Sequence, residues 1–278
     1  MDFKKLIALA IVVVYAISCA TNPFTGKKTL ALPGTENSTL FPASFAQYKQ
    51  VLNESKVVSG TKDAEMITRV GQRIAVAAER WLNANNNQGY LEDYKWEYKL
   101  IESEQVNAWC MPGGKIAFYT GILPIAQNET GIAAIMGHEV VHALANHGQQ
   151  RMSSGMLQQL GGLGVALATS NKSPEKQQIW MQAYGLGSTV GGILPFSRAH
   201  ETQADEIGQL LMAIAGYNPD EAAELWKRMK ANSGGQGPPE FLSTHPDSDN
   251  RIAKLEANAA FAKAEAKKFG VTEFRPID

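Results

Sequence analysis

Apolar residues recur at helical spacing along most of this chain. In residues 63–83, for example, Ile67, Val70 and Ile74 fall three or four positions apart, which predicts a helix that buries one face. The same reasoning predicts helices over residues 43–53, 63–83, 130–145, 198–215, 220–231 and 246–268, and strands over residues 94–101 and 115–120. The expected fold is therefore α+β and mostly helical, with a small β-sheet.

The second predicted strand is preceded by a turn-rich stretch, residues 107–114. Pro112, Gly113 and Gly114 close this stretch. Proline has no N–H for a sheet ladder and glycine weakens a central strand, so both suit the edge of a sheet. We therefore expect residues 115–120 to form an edge strand.

Two apolar, glycine-rich segments lie at residues 155–168 and 185–194. Each is shorter than the roughly 20 residues that span a bilayer, and Gln158 and Gln159 interrupt the first. They are expected to be packed helices or a lid beside the functional site rather than membrane spans.

The N-terminus has the composition of a targeting segment. Lys4 and Lys5 precede an apolar run over residues 6–17, which is too short for a comfortable membrane span. The run ends in Ala-Ile-Ser-Cys at residues 16–19, which resembles the lipobox of bacterial lipoproteins. There the cysteine becomes the new N-terminus and carries lipid. An ordinary cleaved signal and an uncleaved anchor are the alternatives.

This pattern predicts a signal peptide at residues 1–18 and lipidation at Cys19. Residues 19–41, rich in Thr, Asn, Pro and Gly, are expected to be a tether, and residues 42–278 the folded domain. Ala20 stands where an aspartate would retain a lipoprotein at the inner membrane. The expected location is therefore the outer membrane of a Gram-negative bacterium, facing the periplasm.

The composition predicts a globular protein that does not bind nucleic acid. The 278 residues are 44% hydrophobic and 19% charged, with a net charge of −1, so a core can form and no basic field attracts nucleic acid. If Cys19 is lipidated, Cys110 has no partner cysteine in the chain. Cys110 lies between Trp109 and Met111 and is expected to be buried and structural.

The strongest chemical signal is H-E-x-x-H at residues 138–142, inside the apolar helix predicted over 130–145. Residues four apart share a helix face, so His138 and His142 can hold one metal ion. Glu139 can then act as general base toward the attacking water. A chance match is the alternative, but two imidazoles and a carboxylate on a buried helix need partners, which a metal supplies.

Catalytic zinc takes three protein ligands. Glu201 is the expected third, because Asp205 lies on the same helix face and can accept the N–H of a ligand histidine. His200 is the other candidate for the third ligand. Glu201 and Asp205 could also have no metal-related role and simply form a solvated acidic helix face. His147, followed by Gly148, is interpreted as a helix C-cap residue on the side opposite the metal.

His245 precedes Pro246, which suits the first position of a helix. Near a helix N-terminus a neutral imidazole is favoured, and it could donate a hydrogen bond to a developing oxyanion. It could equally become a fourth zinc ligand that closes the site. A plain N-cap histidine is the third reading.

These motifs together resemble the HtpX-like zinc metallopeptidases, the family that includes the CAAX prenyl protease, and in particular its periplasmic lipoprotein members. The matching segments are 107–108 with 112–114, 138–148, 197–205 and 244–251, and residues 22–26 after the lipobox are similar as well. The likeness runs from about residue 19 to residue 260. The transmembrane helices of membrane-spanning members are not visible in this sequence, which argues against processing of prenylated peptides.

The resemblance implies a zincin-like fold whose sheet edge borders the active-site helix, with one Zn²⁺ per chain. His138, His142 and Glu201 would be the ligands, Glu139 the base and His245 a flanking catalytic residue. Asp205 and Arg251 would support the ligands. An extended substrate would add to the strand at Lys115, Ile116, Ala117 and Phe118.

The expected function is hydrolysis of peptide bonds in misfolded or unassembled envelope proteins. The outer-membrane assembly machinery is a possible partner, and the lipid on Cys19 provides the contact with the membrane. Two other functions stay open: a chaperone-like assembly factor with a latent zinc site, and a protein whose zinc is purely structural.

Overall fold

The computed structural model describes residues 19–232, 240–245 and 250–276. The predicted signal peptide and the predicted helix start at Pro246 lie outside these residues. The helices are α1 Asn37–Glu54, α2 Lys62–Ala84, α3 Leu123–Ala126, α4 Glu129–Leu144, α5 His147–Ala168, α6 Pro174–Ser188, α7 Leu194–Ile214, α8 Glu221–Ala231, α9 Glu240–Thr244 and α10 Arg251–Lys268. The strands are β1 Cys19–Thr21, β2 Lys28–Leu30, β3 Val57–Val58, β4 Glu97–Ile101, β5 Ala108–Met111 and β6 Lys115–Tyr119.

The predicted mostly helical α+β architecture is confirmed. Helix α2 begins where the Thr61 side chain accepts the Ala64 N–H, and α4 begins where Asn128 accepts the Gly131 N–H. Such caps satisfy N–H groups that the first helical turn leaves unpaired. Nearly all of α4 is buried, so it runs through the core with α2, α7 and α8 packed around it.

The larger sheet has the strand order β3-β4-β6-β5. Strands β4 and β6 are parallel, and β5 and β3 pair antiparallel at the two ends. The prediction that residues 115–120 form the edge is wrong. Lys115, Ile116, Ala117 and Phe118 pair on both sides, and the last three side chains are fully buried.

The edge that borders α4 is β5, which lies within the stretch predicted to be turn-rich. Gly113 and Gly114 make the tight turn between β5 and β6, and both have positive φ. The proline and glycines therefore mark a hairpin at the sheet edge, one strand earlier than expected.

The predicted tether at residues 19–41 is not a loose linker. Strands β1 and β2 pair with each other, and Phe24, Leu32 and Thr35 are buried. The Asn22 side chain donates a 2.9 Å hydrogen bond to the Leu144 carbonyl at the end of α4. The segment is packed because its apolar side chains are buried against the domain and because Asn22 satisfies a backbone carbonyl that the end of α4 leaves without a helical partner.

Helices α5 and α6 form a hairpin that a π-helical turn, Thr189–Ile193, joins to α7. The apolar segments 155–168 and 185–194 lie in this hairpin. In the part of the chain that the structure describes, we find no helix with the length and apolar character needed to cross a bilayer.

Candidate metal centre

Helices α4 and α7 touch backbone to backbone at Gly137 and Gly208. A Cβ atom on Gly137 would lie 2.6 Å from the Gly208 carbonyl oxygen, and one on Gly208 would lie 2.8 Å from the His138 nitrogen. Any larger residue would separate the helices. This close approach brings His138 and His142 of α4 beside Glu201 of α7.

The donor atoms of four residues converge. His138 Nε2 lies 3.1 Å from His142 Nε2 and 3.3 Å from Glu201 Oε2, and His142 Nε2 lies 3.5 Å from Glu201 Oε1. His245 Nδ1 lies 3.1 Å from His138 Nε2 and 3.0 Å from Glu201 Oε2. Within the described residues, these four offer ligand atoms that all lie within 4.8 Å of one another.

These separations fit a tetrahedral zinc ion. A tetrahedron with metal–ligand bonds of about 2.0–2.1 Å has edges of about 3.3 Å, and the distances among the donors of His138, His142 and Glu201 are 3.1–3.5 Å. Two imidazoles and a carboxylate are also the donor types that suit zinc. The cluster is therefore suited to one zinc ion held by His138, His142 and Glu201, and the His245 imidazole lies beside these three donors.

Asp205 and Arg251 hold His138 from behind. His138 presents Nε2 to the cluster, so its Nδ1–H donates to Asp205 Oδ1 at 2.9 Å. Arg251 Nη2 donates to the same oxygen at 2.6 Å, and the guanidinium lies 3.3 Å from the centroid of the Trp226 ring. A carboxylate behind a ligand imidazole fixes its tautomer and orientation.

Glu139 lies one residue along α4, facing β5. It is buried, its Oε1 has no hydrogen-bond partner within the described residues, and the carboxylate accepts a hydrogen bond from the Cys110 backbone. Glu139, His142, Trp109 and Cys110 line a cavity of about 180 Å³. The buried carboxylate therefore borders an open space next to the metal cluster.

His147 is not a C-cap, as the sequence suggested. Helix α4 ends at Leu144, Asn146 has a left-handed φ of 55°, and His147 begins α5. The reversal turns His147 back toward the site, where its Nδ1 lies 3.0 Å from His142 Nδ1. With His142 Nε2 facing the cluster, His142 Nδ1–H donates to His147, which donates from Nε2 to Gln203 at 2.9 Å.

His200 stacks on His147 and stays outside the ligand cluster. The ring centroids are 4.0 Å apart with an interplanar angle of 10°, and His200 Nε2 lies 3.2 Å from Gln150 Oε1. The structure thus brings Glu201, and not its rival His200, to the donor group. Sequence spacing alone missed the His142–His147 contact; the signal for it was Asn146, a residue tolerant of left-handed backbone.

Burial and neighbouring charge tune the site. Burial would lower the pKa of His138, but Asp205 and Glu201 outweigh it and raise the value to about 9. Burial, reinforced by the His138 charge, holds the pKa of His142 well below its usual value. Burial raises the pKa of Glu139. The pocket therefore favours a neutral imidazole at His142 and a positive charge beside Glu201 and Asp205, and His138 would release its proton when a metal ion takes over that charge.

Comparison with known proteins gives the family. The sequence pattern described as peptidase family M48 matches residues 62–259, which include the whole donor cluster. The mitochondrial metalloendopeptidase OMA1 of Schizosaccharomyces pombe is 36% identical over 167 residues, 60% of this chain and 47% of that protein. The protein of the same name in Saccharomyces cerevisiae is 32% identical over 216 residues, 73% of this chain and 59% of that protein.

A bacterial relative is more distant. The beta-barrel assembly-enhancing protease of Escherichia coli is 26% identical over 169 residues, 59% of this chain and 34% of that protein. The chain spans 34–59% of the length of these curated relatives. Since the family pattern covers well over half of the sequence and includes the clustered donors, the chain belongs to peptidase family M48.

Proposed function

We propose that this protein is a zinc-dependent endopeptidase in which His138, His142 and Glu201 hold the metal and Glu139 is the general base. The supporting observation is the buried Glu139 carboxylate beside the donor set, whose Oε1 makes no hydrogen bond and lies 3.4 Å from His245 Nε2. A purely structural zinc site has no use for a further carboxylate of this kind, and a buried carboxylate oxygen without a hydrogen bond is costly. A role as general base explains why the carboxylate is buried at this position.

The bound zinc would polarise the scissile carbonyl and lower the pKa of the attacking water. Glu139 takes the proton from that water and delivers it to the leaving amine. Burial raises the pKa of Glu139, which brings a carboxylate closer to the value a base and acid needs near neutral pH. Asp205 and Arg251 keep His138 in one tautomer throughout.

An extended substrate has a place along β5. The Met111 carbonyl accepts from Gly114 and the Asn107 carbonyl from Tyr119, so these residues face β6. The alternate residues, Ala108 and Cys110, present their backbone groups away from β6, toward Glu139. A peptide can add there as a further strand, which favours unfolded chains because they have free backbone groups.

His245 closes this site in the resting protein. Its Nδ1 lies 3.1 Å from His138 Nε2, and its Nε2 lies 3.4 Å from Glu139 Oε1. The sequence allowed His245 to be either a hydrogen-bond donor to the oxyanion or a fourth zinc ligand. This position favours the fourth ligand, which must leave the metal before a substrate is bound. A latent, chaperone-like assembly factor is the second candidate function, because a closed four-donor site is the geometry it predicts.

The proposed substrates are misfolded or unassembled proteins of the bacterial envelope. This part of the proposal rests on the N-terminal Lys4, Lys5, apolar run and Cys19, since the relatives' names divide between mitochondria and β-barrel assembly. A lipid on Cys19 would hold the protein at the periplasmic face of the outer membrane, where assembly machinery is a candidate partner.

The test is cleavage of casein by the full chain in detergent, with zinc content measured. Wild type is compared with Glu139→Gln and with His245→Ala, and Glu206→Gln is the matched exposed-carboxylate control. We expect Glu139→Gln to retain one zinc per chain and lose cleavage, whereas His245→Ala cleaves faster than wild type. Zinc retention with no cleavage by any variant would refute the peptidase proposal and leave the chaperone-like function.

The location is tested separately by radiolabelled palmitate incorporation in Escherichia coli, followed by membrane fractionation. We expect label on the wild type in the outer-membrane fraction and none on Cys19→Ser. Label-free wild type would contradict lipidation, and label in the inner-membrane fraction would contradict only the choice of membrane.

A further inference from the structure

The exposed large apolar side chains of this protein are concentrated on the α5–α6 hairpin. We define the apolar hairpin as residues 152–194. In the described chain, all such side chains except Val76 and Phe261 lie on it. They are Met152, Met156, Leu160, Leu163, Leu167, Ile179, Trp180, Met181, Leu186, Val190 and Leu194.

The apolar hairpin projects from the domain. From residue 154 to residue 199, a stretch that the structure describes throughout, Thr169 is the one buried residue. The two helices hold each other through polar contacts: Tyr184 donates to the Gln158 carbonyl at 2.9 Å, and Gln158 donates to Ser188 at 2.9 Å. The hairpin therefore has its own internal bonds but leaves its apolar side chains in water.

Charge is almost absent from this surface. Between Arg151 and Arg198 the charged residues are Lys172, Glu175 and Lys176, all at the turn between the helices. The side chains of Leu160, Leu163 and Leu167 are 58%, 61% and 73% exposed. A contiguous exposed apolar patch of this kind marks a binding surface for a protein or a membrane.

The position of the N-terminal segment identifies the partner. Cys19 pairs with Leu30 in the β1–β2 ribbon, and two residues later the Leu32 N–H donates to Ser153 at the base of α5. One strand pairing, two strand residues and one hydrogen bond therefore connect Cys19 to the base of α5, a path of roughly 15–20 Å. A lipid on Cys19, or the apolar run at residues 6–17 if it is not cleaved, would therefore place the bilayer near the base of the apolar hairpin.

We propose that the apolar hairpin docks on the surface of a lipid bilayer, with Leu160, Leu163, Leu167, Ile179 and Trp180 in the boundary between headgroups and acyl chains. Apolar helix faces bind membranes in this way while lying in the interface. The choice of partner rests on the proposed N-terminal anchor, but the docking does not depend on peptidase activity. A second copy of the chain is the competing occupant.

Trp180 provides the test. The full chain is reconstituted in phosphatidylcholine vesicles with or without phosphatidylcholine brominated on its acyl chains, and tryptophan emission is recorded for wild type and Trp180→Phe. The other tryptophans, Trp81, Trp96, Trp109 and Trp226, lie outside the apolar hairpin. We expect bromolipid to quench the wild type, and Trp180→Phe to lose more than half of that quenching.

A second variant separates membrane contact from other roles of the hairpin. Replacing Leu160, Leu163 and Leu167 by serine should reduce the quenching of Trp180, whereas serine at Val76 and Phe261, exposed but outside the hairpin, should leave it unchanged. Equal quenching of wild type and Trp180→Phe, or an unquenched Trp180 together with cross-linked dimers in the vesicles, would overturn the proposal.

Casein cleavage by the same variants in detergent is measured in parallel. It should equal that of wild type, because the serine substitutions lie outside the donor cluster. A wild type that does not cleave casein would count against the peptidase proposal alone, and the quenching result would still decide membrane docking.

Discussion

Replacing Gly208 by alanine should separate the two helices that carry the metal ligands. A Cβ atom at Gly208 would lie 2.8 Å from the His138 nitrogen and 2.9 Å from the Gly137 carbonyl carbon. Because non-bonded carbon atoms pack at about 3.5–4.0 Å, α4 and α7 must move apart by roughly 0.5–1 Å. The atoms in the way are backbone, so no side chain can swing aside to relieve the contact.

The free energy of unfolding should fall in consequence. Overpacking of a well-packed core costs about 1–3 kcal/mol, and the gain from replacing a helical glycine by alanine returns about 0.5–1 kcal/mol. The expected net loss is about 0.5–2 kcal/mol. Glu201 lies two helical turns before Gly208 on the same face, and metal sites tolerate displacements of only about 0.2 Å. Zinc affinity should therefore fall about tenfold or more.

Chemical denaturation gives the stability change, and competition with a chromophoric chelator gives the zinc affinity. The matched control is Gly155→Ala in α5, where an added Cβ meets nothing within 4 Å and stability should rise slightly. If Gly208→Ala matched this control in both stability and zinc affinity, the glycine contact would not be what positions Glu201, and the reasoning would fail.

Three further changes probe other parts of the structure. Burial would raise the pKa of Glu129, but hydrogen bonds from Arg69 hold it below its usual value. Its stabilising effect is therefore present above the unfolded pKa and is lost as the pH falls through the lower folded value. Glu129→Gln should cost up to about 1 kcal/mol in chemical denaturation at pH 7, and the difference from wild type should vanish near pH 2; a difference independent of pH would contradict this. His147→Gln should weaken zinc binding about 10–100-fold with the fold retained, measured by chelator competition, whereas His200→Gln should have a smaller effect; equal effects would argue against a specific role for His147. Desolvation raises the pKa of the half-buried Cys110 thiol, so iodoacetamide at pH 8 should alkylate it about tenfold more slowly in the folded protein than in denaturant, and equal rates followed by mass spectrometry would contradict the raised pKa.

The sequence predicted the helices well where an apolar face repeats. Helix α4 was expected at residues 130–145 and is Glu129–Leu144, and α2 was expected at 63–83 and is Lys62–Ala84. The strand β5 was missed because its residues, Ala108–Met111, do not alternate and precede strong turn signals. The order of the strands was not predictable locally either, since a parallel β4–β6 pair depends on contacts between distant segments.

The candidate site shows the same division. Spacing along single helices paired His138 with His142 and Glu201 with Asp205. The need of zinc for a third ligand and the family resemblance predicted that the two pairs act together, and the structure brings them together. Contacts between different helices and strands were harder to predict from the sequence. His147 was placed on the wrong side because one left-handed residue ends the helix before it. For His245 the sequence left three roles open, one of them a fourth zinc ligand, and the structure places its Nδ1 beside His138 and Glu201.

The packing of Asn22 against the end of α4 has a consequence for where this protein can act. A lipid on Cys19 would lie three positions before the buried Asn22, at most about 10 Å of extended chain. A free tether of residues 19–41 would instead reach about 75 Å. The short connection would confine the catalytic groups to a thin shell beside the bilayer. Proteins would then become substrates through their local concentration at the membrane surface, while unfolded chains deeper in the same compartment would stay out of reach.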